Sequence, residues 1–145
     1  MNKSLILISS IAVAAASADL CRAQGDAPYT EGPVWAITMV KAKLVDDYLK
    51  TQTNNFNAFN DEAKKQGVVI DYKILLGDAS SPHDFNIILM TEFKNMAAFD
   101  GLRAKLDAIA DKLIGSADVQ REGAVKRTEM REIIGDKLMR EITLK

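Results

Sequence analysis

Between Val68 and Phe93 the chain reads VVIDYKILLGDASSPHDFNIILMTEF, two runs of period two around a cluster of turn residues, Gly77 to Pro82. In the first run Val68, Ile70, Tyr72, Ile74 and Leu76 share one side, and Val69, Asp71, Lys73 and Leu75 the other. In the second, Phe85, Ile87, Leu89, Thr91 and Phe93 oppose Asn86, Ile88, Met90 and Glu92. Alternate side chains of a strand face opposite sides of its sheet, so the pattern predicts a β-hairpin with one apolar and one mixed face. The apolar face calls for a cover of helices. The mixed face carries Leu75, Ile88 and Met90, more apolar surface than a solvated sheet tolerates, and calls for a partner subunit or a ligand.

The flanking patterns supply the rest. Val34–Val40 is a β-branched and aromatic run that predicts a strand, with Trp35, Ile37 and Met39 on one face. Helical spacing of Leu44, Val45, Tyr48, Leu49, Phe56, Phe59 and Ala63 predicts a helix from Leu44 to Gln66, ended by Gly67. Its centre, TQTNNFN, is poor in helix formers and predicts a kink or local loosening. A second helix is expected from Met96 to Ile114, capped by Asn95, with Gly101 inside it allowing close approach to the sheet. Residues 116–134 read as a helical insertion. Its helix runs from about Glu122 to Ile134, with a break at Gly123 and a stop at Gly135. Lys137–Leu144 closes the chain as a strand. The order strand, helix, strand, strand, helix, insertion, strand predicts an α+β, ferredoxin-like βαββαβ domain over residues 34–145, a four-stranded antiparallel sheet with helices on one face.

Residues 1–23 are expected to be a signal peptide: Lys3 is followed by an apolar run from Leu5 to Ala16 and then by small residues. Cleavage after Ala23 is preferred, leaving Gln24 first, whereas Ala16-Ser17-Ala18 fits the small-residue rule better. A lipoprotein reading through Cys21 has bulky Leu20 against it. The protein is thus expected to be exported, to the periplasm or beyond, with no membrane attachment once cleaved. Residues 24–33, rich in Gly and Pro, read as a flexible lead-in.

Composition adds little chemistry. The net charge of −1 over 145 residues gives no ground for a nucleic-acid partner. One cysteine and one histidine leave no intrachain disulfide and no histidine-rich metal site, and no cofactor or metal is called for. The patterns GxSxG, CxxC, HExxH and the phosphate loop are missing from the sequence.

Several stretches nevertheless carry a resemblance: the Val34–Val40 strand, AKKQG at Ala63–Gly67 before the Tyr72 strand, Asp84–Phe93, KNMAAFDGL from Lys94 to Leu102, and REIIGDKLMREI from Arg131 to Ile142. With these the chain resembles the dimeric α/β-barrel superfamily, most closely an uncharacterised secreted bacterial branch of it. The resemblance implies a homodimer built by pairing two sheets face to face, and a pocket between sheet and helices. That superfamily includes haem-degrading and quinone-forming monooxygenases, muconolactone isomerases and stress-responsive proteins, so fold alone selects no activity.

The candidate ligand-binding residues are Trp35, Tyr72, His83, Asn86, Ile88 and Met90. Trp35 and Tyr72 can close a cavity or serve as core aromatics. His83, in the turn-rich loop, has the chemistry of a general base or haem ligand, although a solvated loop residue is the simpler reading. Asn86, with Asp71, Lys73 and Glu92, offers polar points in the apolar wall of Ile88 and Met90, or else cross-strand pairing on a dimer face. The expectation is an exported small-molecule-binding or structural homodimer, its ligand small and apolar. The alternative is a cofactor-independent or haem-linked monooxygenase or isomerase of the same fold.

Overall fold

A computed structural model describes residues 27–145. The proposed signal peptide lies outside the described residues. Strands β1 (Tyr29–Ala42), β2 (Asp71–Leu76), β3 (Ile87–Phe93) and β4 (Arg131–Leu144) form one antiparallel sheet in the order β2-β3-β1-β4. That order, with helices between β1 and β2 and between β3 and β4, is the ferredoxin-like plan.

The period-two reading places the strands' faces correctly. Val34, Ala36, Val40 and Ala42 of β1, Ile74 of β2, and Ile87, Leu89 and Phe93 of β3 lie on the helix side. They pack into two adjoining clusters, one around Tyr48 and one around Ala63, Leu102 and Ile109.

The boundaries differ in informative places. β1 begins at Tyr29, inside the segment read as a flexible lead-in, because β4 is long enough to pair with it as far as Leu144. Gly32 and Pro33 sit in a register irregularity between Glu31 and Val34, where a strand tolerates a missing N–H. The first helix is continuous but changes hand-hold midway: α1 (Val45–Gln52) passes through a π-helical turn (Thr53–Asn57) into α2 (Ala58–Lys65). The turn falls in the polar stretch expected to loosen.

The second helix is shorter than expected. Met96–Phe99 is a single 3-10 turn, and α3 (Leu102–Leu113) starts only after Gly101. Asn95 makes no side-chain cap, and Gly101 serves a backbone turn at φ +65°, with nothing within 4 Å of where a Cβ would stand. Its role is therefore left-handed geometry and not close approach to the sheet. In the insertion, α4 (Ala117–Met130) is one unbroken helix through Gly123. It has no buried residue and carries the ion pairs Asp118–Arg121 and Glu122–Lys126 on a solvated surface. It stops at Met130 and not at Gly135. There Arg131 turns extended, its guanidinium donating to the Tyr48 hydroxyl at 2.6 Å, and the β-branched pair Ile133-Ile134 continues as strand.

Candidate functional site

The side of the sheet away from the helices is built from three cross-strand rows. Leu75, Ile88, Met39 and Gly135 form the first; Lys73, Met90, Ile37 and Lys137 the second; Asp71, Glu92, Trp35 and Met139 the third. The first row is apolar throughout, and Met39 reaches over the bare Gly135, where a Cβ would meet its Cε at 3.3 Å. Leu75 and Met139 are 50% and 53% exposed, so the row ends are open to solvent.

Trp35 is the best-held member of this face, only 7% exposed. Its indole Nε1 donates to Glu141 Oε2 at 3.0 Å, and Lys73 Nζ stands 4.8 Å from the ring centroid. Cation and hydrogen bond together fix the ring against the sheet. Asp71 faces Glu92 directly, an unfavourable like-charge pair. Lys64 offsets it: its Nζ donates to Asp71 at 3.0 Å and holds that carboxyl below its ordinary range, with the Tyr72 backbone N–H adding to the effect.

Of the six candidate ligand-binding residues, the structure gathers Trp35, Ile88 and Met90 on this face. Tyr72 lies on the opposite face. Its hydroxyl donates to Asp61 Oδ1 at 2.7 Å, and its ring meets Phe56 edge-on at 5.7 Å. The carboxylate accepting that proton, and then burial, hold the Tyr72 hydroxyl above its usual range. His83 is exposed in the loop between β2 and β3. Asn86 binds backbone: its Nδ2 donates to the Ala42 carbonyl at 3.0 Å, and the Ala42 N–H donates to its Oδ1 at 2.8 Å.

Two clefts adjoin the loop end of the sheet. One of ≈ 410 Å³ lies among Val45, Leu76, Gly77, Asp78, Ala79 and Asn86; a neighbour of ≈ 170 Å³ reaches Leu75, Phe85 and Ile88. The loop is shaped by Asp84, which accepts the Ser80 N–H at 2.9 Å and the Ser80 hydroxyl at 2.7 Å. Among the described residues no group of three His, Cys, Asp or Glu side chains is placed to hold a metal.

Sequence reasoning missed a polar cluster at the π-helical turn. Gln52 and Asn60 are buried; Asn60 donates to the Phe56 carbonyl at 2.8 Å and accepts from Thr91 at 3.4 Å. Gln52 Nε2 and Asn57 Oδ1 are buried without a hydrogen-bond partner among the described residues. The available signal was the run of polar residues in mid-helix, which marks a helix whose inward face is not wholly apolar. This cluster and Trp35 lie on opposite sides of the sheet and do not converge on one point.

No family model matches the chain, and no curated protein matches it. Among solved structures it is similar to HapK from Hahella chejuensis, with 12% identity, 73% of this chain and 90% of that one covered, and a TM-score of 0.47. It is also similar to a dimeric ferredoxin-like protein from an uncultured marine organism, with 12% identity, 79% and 98% coverage, and a TM-score of 0.41. Both overlays are loose, and the fold assignment rests on the strand order itself.

Proposed function

We propose that the protein is an exported homodimeric binding module whose two open sheet faces meet and enclose a small apolar site. The observation that carries this reading is the ordered apolar row Leu75, Ile88, Met39 beside a fixed Trp35, on a sheet face with no helix over it. Removing a side chain the size of Leu, Ile or Met from water contributes about 1.5–3 kcal/mol before association costs. Two such faces in register bring several of these side chains together at one joint. The candidate ligand residues reduce to Trp35, Ile88 and Met90, with Met39 and Ile37 beside them. Export is supported by Lys3, the apolar run Leu5–Ala16 and the small residues that follow.

Trp35 is the sole tryptophan and reports on the site directly. Sedimentation of the purified protein is expected to give a dimer, and Ile88→Lys a monomer. An anilinonaphthalene sulfonate dye should quench Trp35 in the dimer only. A wild-type monomer at micromolar concentration, or an Ile88→Lys variant with unchanged dimer affinity, rejects the reading. N-terminal sequencing of exported material should begin at Gln24 or Asp19, and an intact Met1 on protein retained in the cytoplasm rejects export.

A further inference from the structure

β4 is a fourteen-residue strand at the sheet edge, paired on one side only, with β1. Among the described residues nothing is hydrogen-bonded along its outer side. An edge of this length, without proline, is a template for another strand. From the register irregularity at Ile134 onward its helix-side face reads Asp136, Leu138, Arg140, Ile142, with opposite charges on the two sides of Leu138. Ile134, Leu138 and Ile142 are 38%, 52% and 49% exposed, because neither α3 nor α4 extends over them.

We propose that this edge pairs, antiparallel and centred on Leu138, with the β4 edge of a second copy, joining two sheets into one of eight strands. In that register Leu138 faces Leu138 of the other copy and Asp136 faces Arg140, while Ile142 falls beside Ile134, at the irregularity of β4. Each apolar residue meets an apolar one and each charge its opposite, the cross-strand pairs that stabilise a sheet. Arg140 already pairs with Glu31 in its own subunit, and Asp136 accepts from Thr38 Oγ1 at 2.6 Å, so both charges are held at the edge. On the other face Lys137 meets Met139 and Gly135 meets Glu141, so between Ile134 and Ile142 no like charges oppose each other.

Neighbouring registers are poorer. Centring on Asp136, Lys137 or Arg140 puts two like charges on the axis. Centring on Met139 sets Ile142 against Asp136. The same patch serves both copies, so the contact is isologous and closes at two chains. It is separate from the proposed sheet-face joint: at the micromolar concentrations of sedimentation that joint alone gives a dimer, and the edge contact, captured by cross-linking, adds a tetramer only at higher concentration.

The test uses cysteine cross-linking in a Cys21→Ser background, which has no other thiol. Under mild oxidation Leu138→Cys should form a disulfide-linked dimer rapidly. Lys137→Cys and Met139→Cys should link poorly alone but well when mixed, since this register sets one against the other. Repeating the Leu138→Cys experiment with Ile88→Lys separates the two contacts. Linked dimer persisting there supports the edge pairing whatever the fate of the sheet-face joint. Equal linking at 137, 138 and 139, absence of linking at 138, loss of it with Ile88→Lys, or a mass that grows without limit overturns the proposal.

Discussion

Asn86 exchanges two hydrogen bonds with a single residue, Ala42, one to its carbonyl and one from its N–H. A side-chain amide here imitates a strand backbone and fastens the end of β1 to the start of β3. Asn86→Ala leaves the partly buried Ala42 donor and acceptor unpaired and should cost about 1–3 kcal/mol of stability in denaturant unfolding. Asn86→Asp keeps the acceptor but sets a carboxylate oxygen against the Ala42 carbonyl, so at neutral pH it should cost at least as much as Asn86→Ala. Equal stability of Asn86→Ala and wild type would return Asn86 to the list of ligand contacts.

Gly101→Ala meets no steric obstacle, so its cost is purely conformational. A left-handed alanine costs roughly 1–2 kcal/mol, and Gly101→Asn should cost less. A stabilised Gly101→Ala, measured by thermal unfolding, contradicts the left-handed turn before α3.

Asp84 is held below its ordinary range by the Ser80 backbone N–H, then by the Ser80 hydroxyl and the Phe85 N–H. A depressed carboxylate stabilises the folded loop at pH above its unfolded value, and this contribution fades as pH falls through the folded value. Amide exchange at Ser80, corrected for the intrinsic pH dependence of exchange, should lose protection in that acid window. Asp84→Asn should remove the acid-dependent step. A step that survives in Asp84→Asn assigns it to another group.

Gln52 Nε2 and Asn57 Oδ1 are buried and unpaired among the described residues. Gln52→Leu exchanges an unsatisfied donor for an apolar group of similar length, and should be neutral or stabilise by about 1 kcal/mol in urea unfolding. A loss above about 3 kcal/mol, the upper end for stranding a buried partner, shows that the amide is held by a bond the static arrangement does not include.

Much of the fold could be read from alternation alone. The faces of β2 and β3 follow from Tyr72, Ile74, Ile87 and Leu89, because a period of two permits one assignment once an apolar face is present. The α4–β4 junction could not be read this way. Its stop is set by the Arg131 guanidinium reaching Tyr48, far away in sequence, and not by Gly135. The same limit applied to the site. Trp35, Ile88 and Met90 share a face that strand parity reveals, whereas the role of Asn86 depends on the cross-strand position of Ala42. Tyr72 went to the helix side by the same parity rule that served its neighbours, so its place opposite Trp35 was already in the pattern.

Among the described residues β1, one of the two central strands, pairs only with strands that follow it in the chain, and one of those partners, β4, is the last of the described elements: Tyr29 lies opposite Leu144. During synthesis β1 therefore waits, one of its edges unsatisfied, until β4 has left the ribosome. Closing a loop of that length comes late and slowly in folding.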